Sequence, residues 1–460
     1  MKINQLHLKN FRCYEKLTVS FQPDLTVLVA INGEGKTTVL DALRIGFWSF
    51  VSQFDLAKTA YNDPANTLTI DDVRILPLGN NNDQMARQLP SKISLQANFA
   101  NEEYHWERER KRESKRSQTL DGKGTREVKQ LADELQDKSR SPEYKALSLP
   151  LFGYYGTGRL WSHKRITSGK RAADYADKNI RTFAYQDCLD PASSFRQFEE
   201  WFTHIYKVAR EQQIKALEQD QHLKLEQTDA YQLIKVVQKA VDIILQPLGW
   251  QKLEYSEQYS QSLIMQHQVQ GIMKVSQLSD GIKNMLGMVA DIAYRCALLN
   301  SHLGTQAAEE TTGVVMIDEV DMHLHPQWQQ TVLSSLTQAF PRLQFIVTTH
   351  SPQVLTTAPA ECIRVINQGQ VNTAPKGSQG AEASRLLKTI FNVEPRPPQQ
   401  ENTKKLNSYI DLVYEDKWDT PDAKQLRQEL DTIYADQEPR LVELDLYIEN
   451  RAWELSLEED

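Results

Sequence analysis

Short apolar segments and glycine breaks alternate in the first part of the chain. The segments "INQLHL" and "LTVLVA" have the alternating and continuous apolar patterns of strands. Gly33 and Gly35 interrupt the pattern, and "TTVLDALRIGFWSFV" then has the spacing of a helix. The segment "SKISLQANFANEEYHWERE" alternates again and predicts a hairpin, whereas the charged stretch from Lys111 to Lys145 predicts a solvated loop or a loosely held helix. The beginning of the chain therefore predicts a strand, a glycine loop and a helix in succession.

Helical spacing dominates the middle of the chain and its last part. From Pro191 onward apolar residues recur at helical spacing, and "DAYQLIKVVQKAVDIIL" predicts a second helix that stops before Pro247. A predicted helix that begins at Gly281 precedes two apolar strands, in "GVVMIDEVD" and "LQFIVTTHSP", and the chain becomes helical and acidic after Gly377. We predict an α/β fold with a mixed β-sheet core, divided into an N-terminal lobe (1–160), a helical insertion or lid (161–269), a second lobe (270–375) and a helical C-terminal region (376–460).

The composition narrows the class of protein. Hydrophobic residues make up 40% and charged residues 25% of the 460 residues, which are ordinary values for a soluble globular protein. No apolar run approaches the roughly 20 residues that span a bilayer, and the first residues lack a signal-peptide core, so we expect a cytoplasmic protein without membrane contact. The four cysteines are scattered and indicate neither a zinc site nor a disulfide framework. A formal net charge of −8 does not suggest wholesale nucleic-acid binding.

The glycine loop matches a phosphate-binding motif at all but its first position. Residues 30–37, "AINGEGKT", fit the pattern G-x-x-x-x-G-K-[ST], with Ala30 in place of the first glycine. Such a loop (Walker A) turns backbone N–H groups toward an anion, places a lysine on the β- and γ-phosphates and offers a hydroxyl to Mg²⁺. The alternative is an accidental Gly-Lys-Thr turn, and alanine is tolerable at position 30 if its φ is negative. The candidate ATP-binding residues are Asn32, Gly33, Gly35, Lys36, Thr37 and Thr38, with Thr37 also a ligand of Mg²⁺.

Three further segments carry chemistry that suits a nucleotide. The strand in "GVVMIDEVD" ends in Asp318, a candidate Mg²⁺ ligand, and Glu319, a candidate base for the attacking water. The strand in "FIVTTHSP" ends at His350, whose neutral imidazole can reach a γ-phosphate, and "LSDGIKNML" opens a helix with Ser279 and Gly281 at its anion-attracting N-terminus. Each segment has an ordinary structural explanation by itself. Their order and context together predict a working nucleotide site, with Glu319 and His350 as its catalytic residues.

In this order the four motifs resemble those of ATPase heads of the ATP-binding-cassette (ABC) superfamily, in the branch with RecF, the OLD-family nucleases and the SMC proteins. The resemblance covers the phosphate loop through His350, interrupted by the helical insertion. It implies a homo-oligomer in which ATP and Mg²⁺ at Lys36 of one head are capped by Ser279 and Gly281 of another.

The same resemblance implies roles for two positions outside the four motifs, and one expected residue is missing. Asp321 is implied to lie in a loop that crosses the dimer interface, and Arg12 in "NFRCY" to reach the nucleotide. Heads of this kind carry a glutamine that couples the γ-phosphate to the lid, but "LFGYYGTGRLW" contains none. Tyr155 and Arg159 are the candidates to replace it, and the departure leaves open whether the protein hydrolyses ATP or only binds it.

Several stretches are similar to the ATPases of the Septu phage-defence system. They are "YYGTGRLW", "TFAYQDCLDPASSFRQFEEWF" and the helical tail that begins at "EASRLLKTIF". That family implies an ATPase that is not itself a nuclease and that controls a small HNH nuclease partner acting on DNA, a pairing also used by some retrons. The alternatives are a RecF-like repair or recombination ATPase and a non-hydrolysing ATP sensor that drives assembly. The tail is then either a docking region for the partner or a helical cap, and we expect Glu443 and Asp445 within it to face solvent rather than a metal.

Two basic stretches raise the question of direct DNA contact. The first, "ERERKRESKR", is interspersed with glutamates, which favours a solvated hairpin. The second, "SHKRITSGKR", contains Lys164 and Arg165 and lacks acidic residues. Its alternatives are phosphate contact and an ordinary solvated surface, so DNA would be reached either directly or through the partner.

Overall fold

The residues that the computed structural model describes fall into two units. They are residues 1–30, 33–60, 63–78, 84–114, 119–159, 180–191, 195–219, 224–435 and 437–458. The first unit, Met1–Ala383, is mixed α/β and the second, Ser384–Asp460, is helical, which confirms the predicted fold class. The boundaries predicted at residues 160, 269 and 375 stay predictions. Within the described ranges no helix is long and apolar enough to cross a membrane.

The predicted strands and helices are present, with additional short ones between them. In chain order the strands are β1 (Lys2–Phe11), β2 (Tyr14–Ser20), β3 (Leu25–Val29), β4 (Ile75–Pro77), β5 (Met85–Arg87), β6 (Ser91–Phe99), β7 (Glu102–Arg110), β8 (Leu120–Asp121), β9 (Leu151–Tyr155), β10 (Trp250–Ser256), β11 (Ser262–His267), β12 (Gly271–Lys274), β13 (Gly313–Ile317), β14 (Leu343–Thr348), β15 (Ile363–Asn367) and β16 (Gln370–Thr373). The α-helices are α1 (Lys36–Val51), α2 (Thr125–Arg140), α3 (Phe195–Glu218), α4 (Asp229–Leu245), α5 (Asp280–Leu299), α6 (Ala307–Glu310), α7 (Pro326–Gln329), α8 (Val332–Ala339), α9 (Pro352–Leu355), α10 (Ala383–Thr389), α11 (Glu401–Tyr414), α12 (Pro421–Tyr434) and α13 (Pro439–Glu458).

The central sheet of the first unit is mostly parallel. Its order over the described residues is β16-β15-β3-β14-β13-β9, and β16 alone runs antiparallel to its neighbour. Every residue of β3, β9, β13 and β14 is buried, as expected for parallel strands covered on both faces. Because the strands are parallel, their carboxyl ends lie along one edge of the sheet.

The helix that follows the glycine loop is enclosed between two sheets. On one side, Trp106 of β7 donates its indole N–H to the carbonyl of Gly46 (3.0 Å), in the antiparallel sheet of order β2-β1-β6-β7-β8. On the other side, the ring centroids of Phe47 and Phe152 of β9 are 5.0 Å apart. A helix that is apolar on nearly all sides is expected to be buried in this way, and the packing fixes the position of its first turn.

The charged stretch after β7 is more ordered than its composition predicts. It contains α2, which packs against α1 and β7 and buries Val128, Ala132 and Leu135. These residues recur at intervals of four and three, which places them on one face of the helix. For residues 125–140 the predicted loop is therefore wrong and the alternative of a helix is confirmed, although this helix is packed and not loosely held.

The two helices predicted in the insertion are present as α3 and α4. The second ends at Leu245, two residues before Pro247, as the sequence predicts. The rings of Trp201 on α3 and Tyr294 on α5 lie with centroids 4.5 Å apart, so α3 is attached to the helix that follows Ser279. A small antiparallel sheet, β10-β11-β12, connects α4 to the beginning of α5.

The second unit is built on the helices α11, α12 and α13. Their shared core consists of small and large apolar side chains: Leu406, Tyr409, Val413, Ala423, Leu430, Leu441 and Leu444. Glu443 is exposed and pairs with Arg440, while Asp445 is about half exposed and pairs with Arg427 (2.5 Å). Both acidic residues therefore take part in surface ion pairs.

Candidate nucleotide-binding and hydrolysis site

Three neighbouring parallel strands carry the predicted motifs to one edge of the central sheet. The strand β3 leads into the glycine loop, β13 into Asp318 and Glu319, and β14 into the histidine motif. Ile317 pairs with Val347, which pairs in turn with Val27, so the three strand ends lie side by side. The carboxyl edge of an open parallel sheet is where such folds bind their ligands.

The helix that follows the glycine loop has the features of an anion-binding site in its first turn. Gly33 and Gly35 have φ of 89° and 85°, and Gly35 is the N-cap residue of α1. A Cβ atom at Gly35 would lie 2.5 Å from the hydroxyl oxygen of Tyr14 and 2.8 Å from the sulfur of Cys13, so a side chain does not fit there. The first turn of α1 contains no acidic residue and no side-chain cap. Its N–H groups and the helix dipole therefore favour a phosphate.

The lysine of the loop lies against the backbone of the residue that departs from the motif. Lys36 is buried, and its Nζ donates to the carbonyl of Ala30 (2.9 Å), whose φ is not positive. Burial lowers the pKa of Lys36, and the acidic side chains that follow β13 oppose that shift. Alanine at the first position therefore removes no donor and strains no backbone. Of the other predicted loop residues, Asn32 lies outside the described residues and Thr38 is buried in the first turn of α1.

The two predicted Mg²⁺ ligands are in direct contact. The hydroxyl of Thr37 donates to Oδ2 of Asp318 (2.9 Å), and the hydroxyl of Thr348 donates to Oδ1 (2.6 Å). The N–H of Asp318 also donates to the carbonyl of Tyr155 (2.8 Å) on the adjacent strand. A hydroxyl and a buried carboxylate are the hard oxygen ligands that Mg²⁺ prefers when it bridges phosphates. The residues present therefore fit a Mg²⁺–nucleotide complex.

The candidate base has an unusual backbone conformation. Glu319 has φ of 49°, in the left-handed region that a residue with a side chain seldom occupies. Its N–H donates to the hydroxyl of Thr348 (2.8 Å), and its carbonyl accepts from Nη2 of Arg159 (2.6 Å) and the N–H of Met322 (3.0 Å). Backbone outliers that persist under such restraint are concentrated at functional sites.

The electrostatic surroundings of His350 favour its neutral form. The residue is half buried just beyond β14, and burial lowers its pKa from the ordinary value of 6.5. The nearby charge of Lys36 lowers the pKa further, while the carboxylates after β13 act in the opposite direction. A neutral imidazole can donate one hydrogen bond to a phosphate oxygen without adding a cation.

The predicted signature helix packs directly on the loop that follows the acidic pair. A Cβ at Gly281 would lie 2.4 Å from the carbonyl oxygen of His323, so this close approach requires glycine. Asp321, at the beginning of the same loop, accepts a hydrogen bond from the hydroxyl of Thr349 (2.5 Å). Within the described residues, the hydroxyl of Ser279, the N-cap residue of α5, forms no capping hydrogen bond.

Arg12 is engaged by two acidic side chains. Its guanidinium donates to Asp41 (2.6 Å) on α1 and to Asp72 (2.8 Å). Burial alone would lower the pKa of Arg12, but the two carboxylates outweigh it and the net direction is upward. Contact between Arg12 and the nucleotide stays a prediction.

The two residues proposed to replace the missing glutamine have different surroundings. Tyr155 is fully buried and its hydroxyl donates to Asp291 (2.7 Å) on α5, whereas Tyr154 points toward Asp41 on the other face of the sheet. Side chains alternate between the two faces of a sheet along a strand, and that of Tyr155 lies on the face covered by α5, directed away from the carboxyl edge of the sheet. Tyr155 as a substitute for the glutamine is therefore wrong. Arg159, in contrast, donates to the carbonyls of Asp318 and Glu319.

Three residues at the site escaped the sequence analysis. Thr348 and Thr349 hold Asp318 and Asp321, and Tyr14 donates to the carbonyl of Glu34 in the glycine loop. The two threonines directly precede His350, but threonine is also an ordinary strand residue, so their type alone gives no signal. The basic pair Lys164 and Arg165 lies outside the described residues.

A phosphate loop, a buried Asp-Glu strand and a strand-borne histidine along one sheet edge define the class of ABC/SMC-like ATPases. The AAA domain family AAA_23 matches residues 5–235, which is half of the chain. The chain therefore belongs to this family.

Two retron ATPases are similar to this chain over almost its entire length, and a Septu protein is similar over a shorter part. The Retron Ec83 probable ATPase of Escherichia coli is 29% identical over 511 residues, which cover 100% of this chain and 89% of the relative. The Retron Vc95 probable ATPase of Vibrio cholerae serotype O1 biovar El Tor is 25% identical over 93% of this chain and 86% of its own length. The Septu protein PtuA of Bacillus mycoides (strain KBAB4) is 40% identical over 79 residues, 17% of this chain and 10% of that protein. The chain is thus an ABC/SMC-like ATPase related to PtuA and to retron ATPases.

The solved structures to which this chain is similar include an SMC head bound to the C-winged-helix domain of ScpA. It covers 81% of this chain and 98% of its own, at 14% identity and a TM-score of 0.46.

Proposed function

We propose that the protein binds and hydrolyses ATP at an interface between the heads of two copies. We further propose that this cycle controls a separate HNH nuclease in anti-phage defence. The contact between Thr37 and Asp318 carries the first half of the proposal, because it joins the glycine loop to the acidic pair as Mg²⁺ binding requires. The relationship to retron and Septu ATPases supports the second half.

The residues at the beginning of α1 and after β13 and β14 have separate roles in this proposal. The ammonium of Lys36 binds the β- and γ-phosphates, and the oxygens of Thr37 and Asp318 would hold Mg²⁺, which supplies charge neutralisation on the phosphates. Glu319 accepts a proton from the water that attacks the γ-phosphorus, and ADP leaves. The neutral imidazole of His350 donates a hydrogen bond to the γ-phosphate.

The second head completes the site from the signature helix. Ser279 stands at the N-terminus of α5 with its hydroxyl outside the capping bonds, which suits a phosphate supplied by another copy. The first turn of α5 is in contact with the loop of Asp321 through Gly281. Pairing of the heads would thereby act on the loop that directly follows Glu319.

The head-pairing proposal is tested with two variants and one nucleotide. Lys36→Ala should abolish ATP binding and pairing together, because the lysine lies inside the phosphate loop. Ser279→Arg should bind ATP as a monomer and fail to pair, since it acts only on the second head. Light scattering with ATP in the Glu319→Gln background measures pairing, and normal pairing by both variants would refute the shared site. If Glu319→Gln behaves like the unchanged protein, ATP is a sensor signal and not a substrate.

The partner proposal is tested separately in the native host. The tagged protein is isolated with its stoichiometric companions, which are then identified by mass spectrometry. A small companion with an HNH motif supports nuclease control, with DNA reached through that companion or directly. Recovery with recombination proteins instead would favour the RecF-like alternative.

A further inference from the structure

Arg159 makes an unusual set of contacts for a partly buried cation beside acidic residues. Its guanidinium donates to the backbone carbonyls of Gly156 (3.0 Å), Asp318 and Glu319 (2.6 Å). Each hydrogen bond that the structure gives it goes to a carbonyl, although it lies close enough to Asp318, Glu319 and Asp321 to feel their charge. Burial lowers the pKa of Arg159 to about 10, against those carboxylates, so it stays protonated at neutral pH.

Two of the three carbonyls that Arg159 binds, those of Asp318 and Glu319, belong to the strained turn of the candidate base. Glu319 has φ of 49°. Its N–H donates to the hydroxyl of Thr348, and its carbonyl accepts from Arg159 and from the N–H of Met322. A residue with a side chain keeps such a conformation only where its surroundings restrain it. The arginine contributes a charge-assisted bond to that restraint, which is stronger than a bond between neutral groups.

We infer that Arg159 is a positioning residue, which fixes the backbone of Glu319 and thereby aims its carboxylate, without itself touching the nucleotide. The inference rests on the proposed role of Glu319 as the base. The planar guanidinium presents several N–H donors in a fixed fork, so one side chain can span the consecutive carbonyls of residues 318 and 319. A lysine has the charge but not the fork, and is not expected to replace it.

Hydrogen exchange tests this inference without any nucleotide. The amide of Val320 donates to the carbonyl of Thr348 (2.9 Å) and that of Met322 to the carbonyl of Glu319 (3.0 Å), so both report on this turn. In the full-length protein, Arg159→Ala should speed exchange over residues 319–322 by at least about tenfold, because the opening free energy of the turn falls. Unchanged exchange there would overturn the inference.

The matched control is Arg181→Ala. Arg181 is also a partly buried arginine that donates to backbone carbonyls, those of Leu299 (2.8 Å) and Leu147, and burial lowers its pKa as well. Its loss should leave exchange over residues 319–322 unchanged. If Arg181→Ala loosens that turn as much as Arg159→Ala, the effect is general destabilisation and the inference fails. Should Arg159→Ala not fold, Arg159→Lys takes its place in the same comparison.

Kinetics separate positioning from substrate contact. Arg159→Ala should change the Kd of a fluorescent ATP analogue by less than about threefold while kcat falls about 100-fold, the scale expected for a displaced catalytic group. Arg159→Lys should not restore kcat, and Arg159→Ala should cost nothing further in the Glu319→Gln background. Restoration by lysine, or an additive loss, would mean that Arg159 acts on the substrate directly. If the unchanged protein does not hydrolyse ATP, the proposed function fails, whereas the exchange experiment still decides whether Arg159 holds the turn.

Discussion

The hydroxyl of Thr348 lies 2.6 Å from Oδ1 of Asp318 and donates to it, while accepting the N–H of Glu319 (2.8 Å). The other oxygen of Asp318 accepts from Thr37 (2.9 Å). One threonine side chain on the neighbouring strand thus fixes both the candidate Mg²⁺ ligand and the residue proposed as the base.

Thr348→Val should remove the hydroxyl that links Asp318 to Glu319, with little change in side-chain volume. The valine leaves Oδ1 of Asp318 and the N–H of Glu319 without the threonine hydroxyl, which should lower kcat and raise the Mg²⁺ concentration needed for turnover. The free energy of unfolding should fall by about 1–3 kcal/mol, the cost of leaving buried polar groups unsatisfied. Steady-state ATPase assays over a Mg²⁺ titration, with urea unfolding alongside, measure both effects.

Thr26→Val is the control for that experiment. Thr26 is buried on β3, and its hydroxyl accepts the N–H of Gln22 (2.9 Å), away from the acidic pair. Its replacement should cost stability and leave the Mg²⁺ dependence of turnover unchanged. Equal kinetic losses in both variants would contradict a specific role for Thr348.

The sequence was sufficient to place the main residues of the site, because apolar runs that end in glycine, a carboxylate or a histidine mark the ends of strands. Gly35, Asp318 and His350 were located in this way, and the parallel sheet brings their strands to one edge. The direction of each side chain could not be predicted, because the alternation along β9 does not tell which face of the sheet its first side chain lies on. Tyr155 therefore faces α5, and the neighbouring turn, not the strand, brings Arg159 to the acidic pair.

Tyr155→Phe should reduce stability and spare catalysis. The tyrosine hydroxyl donates to Oδ2 of Asp291, a buried carboxylate that also binds Arg295 (2.8 Å). Removing a hydrogen bond to a charged group should cost about 1.5–3 kcal/mol. We expect kcat to change by less than about twofold, since about 0.4 kcal/mol corresponds to that factor. Urea unfolding and ATPase assays measure the two effects.

Tyr185→Phe serves as the comparison for Tyr155→Phe. Tyr185 is equally buried, but its hydroxyl donates to a neutral acceptor, the carbonyl of Pro150 (2.7 Å). A smaller loss of about 0.5–1.5 kcal/mol is therefore expected. A drop in kcat for Tyr155→Phe as large as that for Arg159→Ala would return Tyr155 to the nucleotide site.

Substitutions in the glycine loop should have graded effects. Gly35→Ala combines a positive φ with contacts at 2.5 Å and 2.8 Å from Tyr14 and Cys13, whereas a Cβ at Gly33 would meet no atom within 4 Å. We expect Gly33→Ala to weaken ATP binding by about 10- to 100-fold from backbone strain of about 1–3 kcal/mol, and Gly35→Ala to weaken it further. Ala30→Gly should leave the Kd within about threefold, because Ala30 contributes its carbonyl and not its methyl group. Isothermal titration with a non-hydrolysable ATP analogue ranks the three, and tighter binding by Gly35→Ala than by Gly33→Ala would contradict the packing around Tyr14.

The charge state of His350 gives a prediction with a definite sign. Burial and then Lys36 lower its pKa below 6.5 in the folded protein, so the unfolded chain takes up this proton first as the pH falls. The stability that neutral His350 contributes is complete above pH 6.5 and is lost on acidification from there to the lowered pKa. In the nucleotide-free protein, an NMR titration, with the resonance assigned by its absence in His350→Gln, should place the pKa of His350 below 6.5. Lys36→Met should move that pKa upward, because it removes the neighbouring cation. A pKa of 6.5 or above in the unchanged protein would show that the imidazole is not held neutral by these surroundings, and no response to Lys36→Met would contradict the contribution of Lys36.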